Sequence, residues 1–384
     1  MYSLKRRETK VLEKSMNINE KSKLRIHKNL TYDILDGMAD WVRVIDENGL
    51  VIYENETMKK ELNMDSLGKK CYYSLGNSCP CKRCITETTL STGVVSEKEQ
   101  KIGDKTYSIK SSPVRNDDGE IYAVVEVFRD VTRERNLEKD ILRKNRKMNK
   151  DLKNSRAIQE KILPQKGKYG SIKLDYLYKP SEVLSGDMFD IFSINDRYTG
   201  IYISDVVGHG VSASIMTMFI RQTMRAIKDN IISPSKALTE LHRKFLDLQF
   251  DDDKYFTILY GVLDNKEKTF TFVNAGHNSI PIIVKKDGLH LLESSGYPIC
   301  YLFDNIEYKE KTIDIEKGDK ILFYTDGIIE IKNKEGKQFG LDRLIKVMEN
   351  KEENLINLIK NAIDDFKYKT QDDDIAVLKA KVIE

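Results

Sequence analysis

The sequence predicts an α+β protein of three parts: a first unit over residues 31–134, a polar helix over 135–166, and a larger unit of antiparallel sheets flanked by helix pairs over 167–384. Three observations carry that reading. Two turn sequences, Asp46-Glu47-Asn48-Gly49 and Asn116-Asp117-Asp118-Gly119, each join two apolar runs, which is hairpin chemistry. From residue 134 to 163 no turn signal interrupts a stretch that is almost wholly polar or charged. Beyond Lys168, strand-like runs with hairpin-length links are interrupted by helical patterns that come in pairs, which argues for antiparallel sheets under helices and against βαβ units.

Taken in order, residues 1–30 are Lys-rich and polar, a helix or a loose arm. TYDILDGMAD reads as a short helix, WVRVIDENGLVIYEN as the first hairpin, and YSIKSSPVR with EIYAVVEVFRDVTRER as the second. In the polar helix, heptad core positions at 138, 141, 145, 148, 152, 155, 159 and 162 hold only Ile141, Met148, Leu152 and Ile162 as apolar residues. Such a seam makes a weak coiled coil, and Asn145 stands where a buried polar residue fixes register and favours two strands. In the last unit the strands are SIKLDYLYK, MFDIFSIN, TGIYISDVV, YFTILYGVLD, TFTFVNAG, IPIIVKK, KILFYTDGIIEI and IAVLKAKVI. Helical patterns occupy 211–229, 235–249, 341–349 and 353–368.

Composition sets limits. With 384 residues and 40% hydrophobic side chains the chain has material for a core. Its 64 Lys+Arg against 61 Asp+Glu net only +3, which gives no reason to expect nucleic acid as a partner. No apolar run approaches the ~18 residues of a membrane span, so the expectation is a cytoplasmic protein without a membrane partner. Four of five cysteines, Cys71, Cys79, Cys81 and Cys84, cluster as C-x7-C-x-C-x2-C. That is not a secreted disulfide scaffold, nor a standard zinc-finger or ferredoxin spacing. Structural zinc, an iron–sulfur centre, a thiol–disulfide switch and inert thiols all remain open. Cys300, alone in an apolar stretch, reads as a buried small hydrophobe.

Residues 31–134 resemble a PAS sensor domain, on the strand–xDxNG–strand opening and on a closing strand that ends in Asp130-Val131-Thr132 before Arg133. The resemblance implies a pocket for a small ligand or cofactor and a platform for dimerisation.

Carboxylates carry the chemistry. Asp187, Asp205 and Asp326 each sit at the edge or end of an apolar strand beside glycine, and Asp372-Asp373-Asp374 precedes the last strand. Several such charges can share one cavity only if cations neutralise them. Oxygen ligands without His or Cys suit Mg²⁺ or Mn²⁺ rather than zinc. Two such ions ~3.5–4 Å apart can activate a water and clamp a phosphoryl group.

In order, AIQEKILP, PSEVLSGDMFD, ISDVVGHGVSAS, NAGH, FYTDGIIE and DDDIAVL resemble the PPM-type metal-dependent serine/threonine phosphatases of the SpoIIE/RsbU branch, over residues 157–384. The resemblance implies an α-β-β-α sandwich. It makes Asp205 the ligand bridging two Mn²⁺ or Mg²⁺ ions and the carbonyl of Val206 a ligand of one. Asp326 and Asp373 would hold the other ion, and Asp187 would act directly or through water, with Asp374 the fallback if the last motif is shifted by one. Ser185 stands where the family usually has glycine and Ala376 where it usually has Thr. His209 reads as a loop histidine beside a helix start, His277 as structural or groove-lining, and Lys179 as a weak candidate for binding phosphate. The implied reaction is hydrolysis of a phosphoserine or phosphothreonine monoester on a STAS-domain anti-anti-sigma factor by a sensor-regulated dimer, joined through the PAS unit and the helix.

Two other readings compete. Gly208-His209-Gly210-Val211-Ser212-Ala213 after a strand fits the dinucleotide-binding G-x-G-x-x-A, with Asp229 further on, although Asp229 ends a helical run rather than a second strand. A degenerate phosphatase fold serving as a non-catalytic scaffold is the other, opposed by the retention of all four acidic motifs.

Overall fold

The computed structural model describes residues 30–227, 231–250, 253–304, 306–349, 354–369 and 371–384. The expected arm over 1–30, Leu30 apart, and Asp229 lie outside the described residues. The chain divides into two compact units that meet between Arg146 and Lys147.

The first unit opens with a helical segment over 30–36. Then follow β1 (Trp41–Asp46), β2 (Val51–Glu54), α1 (Glu56–Leu62), a 3-10 turn at Tyr73–Leu75, α2 (Ile85–Thr92), β3 (Ser96–Ile102), β4 (Lys105–Arg115) and β5 (Ile121–Asp130). They form one antiparallel sheet in the order β2-β1-β5-β4-β3. The hairpin turns form where the sequence places them: Gly49 takes φ 76°, and the Asp46 carboxylate accepts from the Asn48 and Leu50 N–H groups at 2.9 and 2.8 Å. Trp41, Met58, Ile85, Tyr107, Ile109 and Phe128 make the core. A buried ion pair, Arg43 to Glu126 at 2.7 Å, lies under the cysteine segment, and Arg43 also donates to the Cys71 carbonyl at 2.7 Å. β3 escapes the sequence reading because SEKEQKI alternates half-buried with exposed positions and carries almost no apolar side chain.

α3 (Thr132–Ile162) begins three residues earlier than expected and stops before Pro164, whose ring cannot continue a helix. Its start is fixed by Asp130, which accepts from the Thr132 N–H and hydroxyl at 3.0 and 2.6 Å. Ile141 and Met148 of the expected seam are exposed at 58% and 56%. Gln159 and Ile162 are not available to such a seam: Gln159 is buried and Ile162 packs on the core of the second unit. The coiled-coil expectation is therefore corrected at its C-terminal end, where this unit's own core competes for the helix.

The second unit contains β6 (Gly167–Tyr169), β7 (Ile172–Lys179), β8 (Asp187–Ser193), β9 (Tyr198–Val206), α4 (Gly210–Ala226), α5 (Pro234–Leu246), β10 (Phe256–Asp264) and β11 (Thr269–Ala275). It continues with β12 (Ile282–Val284), β13 (Leu289–Leu291), β14 (Lys311–Asp314), β15 (Lys320–Tyr324), α6 (Gly340–Met348), α7 (Leu355–Phe366) and β16 (Ile375–Val382). Two antiparallel sheets, β14-β11-β10-β9-β8 and β13-β12-β15-β16-β7-β6, pack face to face. α4 and α5 cover the first sheet and α6 and α7 the second, an α-β-β-α sandwich. Period-2 alternation makes the layers. Ile321, Phe323, Ala376, Leu378 and Ala380 point between the sheets, whereas Leu322, Tyr324, Ile375 and Val377 meet the α6–α7 side.

Two expectations change here. KILFYTDGIIEI is not one strand: β15 ends at Tyr324, and Asp326–Ile328 form a 3-10 turn whose Asp326 carbonyl accepts from the Ile329 and Glu330 N–H groups. β9 pairs antiparallel with both β8 and β10, so the glycines after it do not open a βαβ unit and the dinucleotide reading falls.

Fully buried Asp190 on β8 is clamped by Arg225 of α4, through Nε at 2.7 Å and Nη2 at 2.9 Å. Asp190→Ala removes the acceptor of that guanidinium, which is itself 41% exposed, and should destabilise the fold by about 1.5–2 kcal/mol in urea unfolding; a loss under ~0.5 kcal/mol would show the pair to be an exposed-type bridge.

Candidate metal-binding active site

The sandwich brings four acidic chain segments to one place. β8 begins with Asp187 and β9 ends in Asp205-Val206, and their register sets Asp187 opposite Asp205. Directly opposed residues on an antiparallel pair hold their Cβ atoms ~4.5–5.5 Å apart, and like charges there repel. On the other sheet, β15 ends one residue before Thr325-Asp326, and β16 starts just after Asp373-Asp374.

Hydrogen bonds fix the frame. The Thr325 hydroxyl donates to Asp187 Oδ2 at 2.7 Å and accepts from the Ala376 N–H at 3.0 Å, tying β8 to the second sheet. Buried Asp374 accepts from the Ser181 N–H at 2.6 Å and hydroxyl at 2.9 Å through Oδ1, and from the Gly186 N–H at 2.6 Å through Oδ2. It therefore fastens the loop before β8, whereas Asp373, exposed beside it, accepts at Oδ1 from the Asp374 N–H at 2.7 Å. Ser185 has its own use: its hydroxyl accepts from the Asp187 N–H at 3.1 Å. Gln159 of α3 grips Ser185 twice, Nε2 donating to its carbonyl at 2.8 Å and Oε1 accepting from its N–H at 3.1 Å.

Two glycines let the backbones meet. A Cβ on Gly327 would lie 1.9 Å from the Asp374 carbonyl oxygen. One on Gly186 would lie 3.1 Å from the Val206 carbonyl oxygen and 3.2 Å from that of Gly208. The Val206 carbonyl oxygen thus lies against Gly186, the residue before Asp187.

Electrostatics are strained. Burial first, then the charges of Asp326, Asp373 and Asp374, push the Asp205 carboxyl up to about 8. Asp187 is raised well above the usual carboxylate range by burial and then by Asp205, and the Thr325 hydrogen bond opposes this only in part. Among the described residues other carboxylates of the unit form ion pairs, such as Arg197 with Asp264 and Lys332 with Asp372. As placed, no three His, Cys, Asp or Glu side chains among the described residues form a ready cation cage. The donor set nonetheless fits hard divalent cations: it is all oxygen, and its mutual repulsion is what such a charge relieves.

The remaining candidates are distributed as follows. His277 is buried and holds strand ends, with Nε2 3.0 Å from the Tyr324 carbonyl and Nδ1 3.2 Å from the Thr257 hydroxyl. His209 caps α4 from an exposed loop, 2.9 Å from Glu182. Lys179 is engaged with Asp364 at 2.8 Å, which weakens it as a phosphate ligand. In the first unit Cys84 caps α2, Cys71 is half-buried with its thiol pushed up by burial, and Cys79 is exposed. Sequence reasoning missed Thr325, Gln159 and Ser181, whose roles reside in hydrogen bonds to residues distant in the chain.

A profile of the Stage II sporulation protein E (SpoIIE) family matches residues 195–383, a span that includes Asp205, Asp326 and Asp373. Within the C-terminal unit, residues 195–383 thus match a SpoIIE-type phosphatase domain of the PPM class. Phosphoserine phosphatase RsbP of Bacillus subtilis (strain 168) is 30% identical over 186 residues, 47% of this chain and 45% of its own length. Phosphoserine phosphatase RsbU of the same organism is 28% identical over 158 residues, 41% of this chain and 46% of its own. The chain thus spans less than half the length of these curated relatives. The SiaA-PP2C domain of Pseudomonas aeruginosa superposes with a TM-score of 0.54 at 18% identity, over 62% of this chain and 97% of that one, a likeness of fold. Asp187, Gln159 and the first unit lie outside the span matched to SpoIIE.

The raised Asp205 carboxyl makes a stability prediction for the SpoIIE-type domain. A carboxyl raised on folding stabilises the protein below the unfolded value near 4 and loses that contribution as pH rises through about 8. In EDTA, stability should therefore fall from pH 5 to pH 8. Asp205→Asn should flatten that slope and be the more stable protein at pH 8, by on the order of 1–2 kcal/mol in urea unfolding. An Asn variant less stable than the parent at pH 8 would refute the repulsion.

Proposed function

We propose that the chain is a sensor-regulated protein serine/threonine phosphatase that hydrolyses phosphoserine or phosphothreonine monoesters. The observation that carries this is the opposition of Asp187 and Asp205, joined by Asp326 and Asp373 in a gap framed by backbone carbonyls. Asp205, the Val206 carbonyl, Asp326 and Asp373 would hold two Mn²⁺ or Mg²⁺ ions, with Asp187 as a direct or water-mediated ligand. When bound, the ions supply Lewis acidity toward water and the phosphoryl oxygens. The protein's own part is orientation. Thr325 turns the Asp187 carboxylate toward the gap, and Asp374 acts on the loop before β8 rather than on the cation. Gly327 lets the Asp326 turn approach the Asp373-Asp374 segment that leads into β16.

Both relatives RsbP and RsbU are named phosphoserine phosphatases, which supports a phosphoserine monoester as the substrate here; that it is carried by a STAS-domain anti-anti-sigma factor is what the sequence resemblance implies. We read the first unit as a PAS-like sensor, a reading consistent with its five-stranded antiparallel sheet and the hairpin turns. Its cysteines Cys71, Cys79, Cys81 and Cys84 would bear a zinc, an iron–sulfur centre or a thiol switch. α3 would dimerise through Ile141 and Met148, in the cytoplasm; among the described residues no helix is long and apolar enough to cross a membrane.

The full chain should hydrolyse p-nitrophenyl phosphate and a serine-phosphorylated STAS protein with Mn²⁺, lose turnover in EDTA, and lose about 10³-fold or more in Asp205→Asn. Turnover that survives either change would sink the assignment and favour a scaffold. Gln159→Ala should lower kcat about tenfold while the melting temperature stays within a few degrees. An unchanged kcat would show that the clamp on Ser185 does not reach the site.

A further inference from the structure

Beside the carboxylates the second unit has a recess that the cation site does not use. It measures about 280 Å³ and opens between the segment that follows β15 and the segment that precedes β16. Among the described residues, its lining shares Gly327 and Asp373 with the catalytic gap and continues through Glu330 and Ile331 to Lys334 and Tyr368. Gly327 and Ile331 are buried and make the floor, whereas Lys334 and Tyr368 are exposed and make the rim. The recess and the gap therefore have a wall in common.

The rim is braced by hydrogen bonds rather than by a core of its own. Residues 332–338 form a small hairpin in which Lys332 bridges to Gln338 and Gly336 takes φ 77°. The Asn333 side chain accepts from the Glu335 and Lys337 N–H groups at 3.0 and 2.9 Å, and the Phe339 N–H closes the base on the Ile331 carbonyl at 2.7 Å. From the other side of the recess, the Tyr368 N–H donates to the Lys332 carbonyl at 3.2 Å and fastens the two halves of the rim together. Tyr368 is 53% exposed and joins neither core cluster of the unit. Its ring is met instead by Lys334 Nζ at 5.5 Å and Lys369 Nζ at 5.8 Å from the centroid. A large ring held half in water contributes little burial to the fold, and aromatic side chains in such positions are favoured contact residues for a partner.

We propose that this recess receives the residues flanking the phosphoserine of the protein substrate, with Tyr368 as a specificity-determining residue; the proposal rests on the phosphatase reading above. The shared wall selects the occupant. A phosphoseryl group that reaches Asp205 and Asp373 brings its own chain with it. An extended chain advances ~3.3 Å per residue, so side chains one to three positions away fall within ~10 Å of the phosphoserine, on the side where the recess opens. Ligand pockets run to roughly 300–1,000 Å³, so a recess at the lower end of that range has room for a side chain and not for a folded surface. Ile331 and the Tyr368 ring give it apolar walls. A small phosphate ester has no flanking residues and does not reach it.

Kinetics on two substrates test this. The full chain with Mn²⁺ is assayed on p-nitrophenyl phosphate and on the serine-phosphorylated STAS protein. Tyr368→Ala should raise KM for the phosphoprotein about fivefold or more while its kcat, and kcat/KM for p-nitrophenyl phosphate, stay within about twofold. Tyr368→Phe should behave as the parent, because the ring and not the hydroxyl makes the contact. The ring is exposed, so the melting temperature of both variants should stay near that of the parent. An unchanged KM for the phosphoprotein in Tyr368→Ala, or an equal loss on both substrates, overturns the proposal. Turnover of p-nitrophenyl phosphate without turnover of the STAS protein refutes this occupant and leaves the phosphatase reading standing. A parent inactive on both substrates refutes that reading, and this proposal with it.

Discussion

Two carboxylates facing each other across neighbouring strands, in a gap closed to much of the solvent, are the constraint on which the rest of this domain depends. Asp187 and Asp205 repel in the absence of a cation, and a sheet does not place like charges opposite one another without a cost in stability. The surrounding structure resists that repulsion instead of relaxing it. Asp187 is held by a hydroxyl from the opposite sheet, and Asp205 ends a strand paired on both edges. A scaffold of this kind trades stability in the metal-free state for a site whose ligands need little reorganisation when a cation arrives.

The supporting contacts share a logic. Asp374, Thr325 and Gln159 act through main chain: each bonds to an N–H or a carbonyl of a distant segment. Main-chain bonding fixes where a backbone runs whatever side chain it bears. At position 185 the Ser hydroxyl joins the network by accepting from the Asp187 N–H. Glycine is required where backbones touch, as at Gly327 against the Asp374 carbonyl.

Much of this was legible in the sequence, for physical reasons that also explain what was not. The long strands of the sandwich are apolar because each lies between another sheet and a helix layer, so β7 to β11 and β16 stand out as runs. The acidic residues are readable because a charge ending an apolar strand beside glycine is a conspicuous departure from burial. Short strands at or near the sheet edges, β6, β13 and β14, bury one face or less and leave no pattern. KILFYTDGIIEI misled because its second half is buried as a turn and not as a strand, and burial alone does not distinguish the two. The heptad reading failed at its end because a core position in a dimer and a core position in the domain look alike in sequence. Thr325 and Gln159 were invisible as site residues, since their partners are brought near only by the fold.

The double grip of Gln159 on Ser185 has one more consequence. A primary amide meeting a peptide unit through donor and acceptor together fits in a single alignment. Sliding α3 by one residue moves the side chain ~1.5 Å along the axis and swings it ~100° around it, which breaks both bonds at once. The joint is therefore all-or-none, a latch and not a spring, and any message arriving along the helix would be delivered to the loop before Asp187 as engaged or released, with no intermediate setting.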